Sequence, residues 1–122
     1  MKSRLPDEFR ARTKRYAAEV IRLFVKLPKA QDEVKVIGKQ LLPSGTSVAA
    51  HVREASRARS NAEFVSKLGG ALQEADESSL WLELLREECQ VSAGLTSPLE
   101  SESSELMAIF TTMINRTNER AT

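Results

Sequence analysis

The sequence is poor in the residues that carry most site chemistry. One cysteine, Cys89, and one histidine, His51, stand among 122 residues. A lone cysteine excludes an internal disulfide and any site built on several cysteines, and a lone histidine leaves little for acid–base catalysis. Five glycines and four prolines are too few for the regularly spaced turns of a small sandwich or barrel. Aromatic residues make up only 5% of the chain, and none interleaves with the arginines as a base-stacking platform requires. The longest uncharged stretch, Gln40 to Val52, contains Pro43 and Gly45 and falls short of the ~18 apolar residues of a membrane span. Met1-Lys2-Ser3-Arg4-Leu5-Pro6-Asp7 has no apolar core behind its basic residues, unlike a secretory leader. The expectation is a cytoplasmic protein with no membrane partner.

What is present suits long helices. Hydrophobic residues form 41% of the chain and charged residues 29%, which fits one domain over residues 1–122 with a core of useful size. From about Asp7 to Leu27, Phe9, Thr13, Tyr16, Val20, Leu23 and Leu27 alternate steps of four and three, and Pro28 marks the stop. A second stripe, from about Asp32 to Ala58, runs through Val34, Ile37, Leu41, Val48, Val52 and Ala55. Pro43 inside it removes a helical hydrogen bond and predicts a kink or a break into two helices. Ser60-Asn61-Ala62-Glu63 has the pattern of a reciprocal capping box. Behind it, Phe64, Leu68, Ala71, Ala75, Ser78, Leu82, Leu85 and Cys89 draw the longest seam in the chain. Gly94 is placed to close that helix, and Ser92 to Ser104 reads as a polar loop running into the last helix, with Ser97 as cap and Pro98 at the first helical position. Leu99, Ser103, Leu106, Phe110, Met113 and Thr117 complete the fourth stripe. Four amphipathic segments with short connections predict an all-α, antiparallel up-and-down four-helix bundle.

Leu80-Trp81-Leu82-Glu83-Leu84-Leu85 is apolar nearly all round the helix, more than one bundle core absorbs. Leu80, Trp81 and Leu84 point away from the seam and are predicted to form a subunit interface in a homo-oligomer; the alternative is a wide core face.

Charge is balanced overall at +1 but not along the chain. Residues 1–60 hold 14 Lys+Arg and 6 Asp+Glu, and residues 61–122 hold 4 and 11. A basic half can neutralise phosphates; equally, the two halves can complement each other within or between subunits. The candidate phosphate-tracking residues are Arg12, Arg15, Arg22 and Lys26 on the first helix, sharing a face with Glu19, and Arg53, Arg57 and Arg59 at the end of the second segment. A solvated basic face is the plainer account of the same residues.

Catalytic and metal readings are weaker. Cys89 falls on the core seam, His51 abuts the second stripe, and no third group orients them. The carboxylates Glu74, Asp76, Glu77, Glu83, Glu87 and Glu88 lack the paired Glu-x-x-His motifs of a bundle di-metal site. Gly69-Gly70 has no strand before it, so it is no phosphate loop and instead suggests a close helix approach. No catalytic residue, metal or cofactor is assigned.

The run Ile37-Gly38-Lys39-Gln40-Leu41-Leu42, followed by Ser44-Gly45-Thr46-Ser47-Val48-Ala49-Ala50 and Arg53-Glu54-Ala55, resembles a signature of the bacterial four-helix-bundle proteins called intervening-sequence proteins. Many of these are encoded within insertions in 23S ribosomal RNA genes. The likeness continues through Arg57-Ala58-Arg59-Ser60, Glu63-Phe64, Lys67-Leu68-Gly69 and Glu74-Ala75-Asp76-Glu77-Ser78 to Trp81-Leu82-Glu83-Leu84-Leu85. It covers about Phe9 to Glu87. It implies a four-helix bundle assembled as a homopentamer, without enzymatic activity. It also implies an RNA or DNA partner, by the family's genomic setting, and a protein partner such as a reverse transcriptase, by the similar accessory protein of diversity-generating retroelements. Pro43 stands where the family usually has Arg and His51 where it usually has Asn, which removes one basic contact from a candidate surface. The expected function is therefore binding of structured RNA through backbone phosphates, with a protein-interaction scaffold as the alternative.

Overall fold

Each stripe supplies the core, although Ile37 of the second and Met113 and Thr117 of the fourth are only half-buried. A computed structural model describes residues 3–121: α1 spans Asp7–Lys26, α2 Asp32–Ser56, α3 Asn61–Glu87 and α4 Ala93–Ala121, with no strand among the described residues. Phe9, Thr13, Tyr16, Val20 and Leu23 of α1 are buried, as are Val34, Leu41, Val48, Val52 and Ala55 of α2. In α3 the seam from Phe64 to Leu85 is buried, and in α4 Leu99, Leu106 and Phe110 complete a single core.

Neighbouring helices run antiparallel in sequence order. Val20 of α1 lies against Gly45 of α2, and Phe24 and Leu27 lie against Gly38. Ser44 of α2 meets Ser78 of α3, while Glu54 meets Lys67. Phe9 meets Phe110 edge-on at 5.8 Å, and Tyr16 meets Ser103, so α4 returns alongside α1. The expected up-and-down bundle is the fold. The α1–α4 seam is nonetheless the thinnest of the four.

Each helix contributes one hydroxyl to the middle of the core. Tyr16 OH and Ser103 Oγ lie 2.6 Å apart, Ser44 Oγ and Ser78 Oγ 2.9 Å apart, and all four residues are buried. Burial pushes the Tyr16 phenol above its ordinary range, opposed by hydrogen bonding with Ser103 and Ser78. Buried polar groups must be paired, so these contacts fix the relative heights of the helices in a way that apolar packing alone does not.

Several local expectations change. α2 continues through Pro43 instead of breaking. Pro43 is exposed, so the carbonyl it leaves unbonded, that of exposed Lys39, faces water, where the loss costs least. Gly45 permits the α1–α2 approach, since a Cβ there would stand 2.8 Å from both methyls of Val20. Ser60 Oγ accepts the Glu63 N–H at 3.0 Å, but the Glu63 carboxylate pairs with Arg59 at 3.7 Å, so the cap is one-sided.

Gly94 does not close α3. That helix ends at Glu87, and Gln90 takes the left-handed conformation (φ 62°) that turns the Val91 N–H back to the Leu85 carbonyl. Ser92 then starts α4, accepting the Gly94 N–H at 3.2 Å, so Pro98 lies inside α4 rather than at its first position. Of the two glycines in α3, Gly70 alone marks a close approach, with a Cβ there 2.9 Å from the His51 ring; Gly69 has open space.

Candidate nucleic-acid interface

The end of the bundle where α1 begins and α2 finishes carries a recess of about 980 Å³. Its lining follows from two helical repeats. Arg10 and Lys14 stand one turn apart on α1, and Arg53 stands one turn before Arg57 at the end of α2. Ala11, Thr13, Ala49 and Ala50 lie between them, and Arg59, Glu63 and Lys67 close the side toward α3. Small side chains on the facing helices leave the recess open while the longer cations line it.

Six cations and two carboxylates, Glu54 and Glu63, line this groove, a net charge of +4. Three of the cations are engaged: Arg10 with Asp7, Arg59 with Glu63 at 3.7 Å, and Lys67 with Glu54 at 3.2 Å. Lys14, Arg53 and Arg57 pair with no carboxylate among the described residues. Arg10 Nε is screened from solvent and donates to nothing there, a donor without an acceptor on the groove wall. Charges left uncompensated in a concave site focus the field on an incoming anion.

The basic residues singled out by the sequence fall into two places. Arg53, Arg57 and Arg59 lie together in the groove. Arg12, by contrast, points across the thin seam to α4, where Nε and Nη2 donate to Glu102 at 2.7 and 2.8 Å, with Glu105 at 3.7 Å. The hydrogen bond to Glu102 holds the Arg12 guanidinium pKa above its ordinary value. Arg15 borders a small polar cleft of about 290 Å³ on the same side, with Arg12, Glu19 and Glu102, and Arg22 and Lys26 are exposed farther along α1. Arg10, Lys14 and Lys67 were not among the expected residues.

Arg4 is another basic residue with a structural task. Its Nε donates to the Ala58 carbonyl at 2.8 Å, Nη1 donates to Asn61 Oδ1 at 3.0 Å, and the guanidinium lies 5.7 Å from the Phe64 ring centre. These contacts tie the N-terminal segment to the α2–α3 turn beside the groove.

On the predicted interface, Leu80 is 46% exposed and Leu84 half-buried, while Trp81 is half-buried and packs against the core. The α2–α3 register set by Ser44 and Ser78 brings Val36, 61% exposed, level with the last turns of α3. The apolar surplus of α3 is thus shared between its own core, which Trp81 joins, and exposed Leu80.

No catalytic pair forms. His51 packs on Gly70 with Nδ1 3.5 Å from Glu54 Oε1, near the end of α2. Cys89 is buried near Glu33 at the start of α2, which is roughly 27 Å along the axis from His51 at 1.5 Å per residue. Burial raises the Cys89 thiol pKa, the opposite of an activated thiolate. Among the described residues no group of three or more His, Cys, Asp or Glu is placed to hold a metal, and no helix is long and apolar enough to cross a membrane. Glu77 hydrogen-bonds with Glu74, and that bond, with the charges of Glu74 and Asp76, raises its carboxyl pKa.

No curated protein matches the chain at a significant level. A solved structure does: a protein of unknown function from the S23 ribosomal protein family of Bacteroides thetaiotaomicron is 33% identical. The match covers 87% of this chain and 94% of that one, with a TM-score of 0.77. The model of the 23S rRNA-intervening sequence protein family matches residues 8–112, from the first turn of α1 deep into α4. With the four-helix architecture, these matches place the chain in the 23S rRNA-intervening sequence protein family.

Proposed function

We propose that the chain is a non-enzymatic, homo-oligomeric protein that binds structured RNA through backbone phosphates seated in the α1–α2 groove. The observation that carries this reading is the set of three cations, Lys14, Arg53 and Arg57, gathered in one recess and left without carboxylate partners. A solvated basic face is convex and scattered; these residues converge on a concavity with a net charge of +4. The family name ties these proteins to the intervening sequence of 23S rRNA, which makes RNA the class of polyanion to test first. Arg12 belongs to the α1–α4 seam, while Arg15, Arg22 and Lys26 provide a weaker, open flank for a longer RNA.

Self-association, with a pentamer as the expected state, is supported by exposed Leu80 beside half-buried Trp81 and Leu84 on α3. Apolar side chains left on the surface in this way favour a partner over water. Trp81→Ala is expected to shift the light-scattering mass toward the monomer; an unchanged mass returns Trp81 wholly to the domain core.

Binding is tested by RNA retention on the full chain as salt rises. Phosphate contacts release counterions, so retention must fall steeply between about 50 and 200 mM salt. A protein-interaction scaffold, the alternative, shows no RNA retention even at the low end.

A further inference from the structure

We infer that the groove takes an unpaired stretch, such as a loop or bulge, of a structured RNA, held by its sugar–phosphate backbone and without base preference. This rests on the phosphate-binding reading above and narrows it to one class of ligand.

The shape of the cation array carries the step. Arg10 and Lys14 form one short row and Arg53 and Arg57 another, on helices that face each other across Ala11, Ala49 and Ala50. Axes of packed helices lie about 8–10 Å apart, so the two rows are walls of a slot. A single strand lies down in such a slot with cations on either side. A duplex is far broader, and it rides across the rims with its phosphates held off the floor.

Flexibility points the same way. An unpaired strand is free to unstack and extend until its phosphates meet successive turns of the helix.

The lining also lacks a stacking platform. None of the residues lining the groove is aromatic, so no ring is there for a base to stack on. Glu54 and Glu63 are paired with Lys67 and Arg59 on the α3 side, which leaves that side neutral and the unpaired cations on the α1 and α2 walls. Bases then point outward, and sequence goes unread.

The test titrates the full chain, followed by fluorescence anisotropy, with oligo(U), oligo(A) and a duplex RNA of equal length, about 20 nucleotides, at about 100 mM salt. The expected result is oligo(U) and oligo(A) binding within about threefold of each other, and each at least about tenfold tighter than the duplex. The double variant Lys14→Ala/Arg53→Ala is expected to lose roughly tenfold on the single strands and little on the duplex, with an unchanged helical circular-dichroism spectrum. Equal or tighter duplex binding overturns this inference and leaves the phosphate-binding reading standing. Single-strand affinity untouched by the double variant overturns it too, by moving the ligand out of the groove. If no RNA binds even at about 50 mM salt, both readings fall.

Discussion

Arg12 and Arg53 carry the same charge on the same half of the sequence, yet the fold gives them opposite fates. Arg12 faces α4, the acidic last helix, and is neutralised by Glu102 with Glu105 nearby. Arg53 faces α1, itself basic on that flank through Arg10 and Lys14, and finds no carboxylate. A basic residue beside an acidic helix becomes part of the structure, and one beside another basic helix remains available to an outside anion. The charge asymmetry between the halves of the chain therefore neutralises itself on the α1–α4 seam and leaves unpaired cations on the α1–α2 seam, where the proposed phosphate contacts lie.

The contrast can be broken most forcefully at the groove's foundation. Gly45→Val forces side-chain atoms into a position where even a Cβ would be 2.8 Å from the Val20 methyls. Overpacking of this kind costs about 1–3 kcal/mol; thermal or urea unfolding should show a loss near the upper end. Next in size is the triple variant Lys14→Ala/Arg53→Ala/Arg57→Ala. It should lower RNA affinity at least about tenfold while moving unfolding stability by less than about 0.5 kcal/mol, as expected for exposed residues. Arg12→Ala should do the reverse: RNA affinity unchanged, stability lower by roughly 1 kcal/mol, a value discounted because the pair is partly solvated. Comparable effects of both variants on RNA binding would erase the distinction between seam and groove.

Two smaller effects sharpen it. Glu54→Gln removes a carboxylate from the groove and releases Lys67, so RNA binding should tighten about two- to threefold and salt should screen the gain. Acid should probe the ion-paired seams. Glu100 accepts two hydrogen bonds from Arg86, at 3.0 and 2.9 Å, and this bond holds its carboxyl below the ordinary range. A lowered carboxyl stabilises the fold above its unfolded pKa, near 4.3. That contribution should fade as pH drops below about 4.3 through the folded value, an effect that Glu100→Gln should blunt in acid-unfolding curves.

The sequence carries the architecture because helical periodicity needs only one chain and one repeat. The stripes of α1 and α3 name their buried residues nearly position by position. Where it misled, a side chain or a backbone turn took a task usually given to another residue. Gln90 adopts the left-handed conformation expected of Gly94, and Ser92 caps α4 six residues before Pro98. Pro43 stays helical because its orphaned carbonyl is on the wet side, which periodicity places but does not price against a break.

The site was half legible for a different reason. A helical wheel groups Arg12 with Arg15, Arg22 and Lys26 correctly, but it cannot say which neighbour packs on that flank. Packing order decides that the flank meets α4 and its carboxylates, while Arg10 and Lys14, on the other side of the same stripe, meet α2. Arg53, Arg57 and Arg59 stand out in the sequence because they cluster along the chain, and the fold brings them to one recess. Lys67 joins them only through the antiparallel return of α3.

The central claim, that uncompensated cations in the α1–α2 groove hold RNA phosphates, is tested most directly by salt titration of single-stranded RNA binding for the wild type beside the Lys14→Ala/Arg53→Ala/Arg57→Ala triple variant. On a single strand each neutralised phosphate contributes about −0.7 to the slope of log affinity against log salt. The wild type should give a steep slope, and the triple variant one shallower by about 2. Superimposable lines, or no binding by the wild type at about 50 mM salt, would contradict the account.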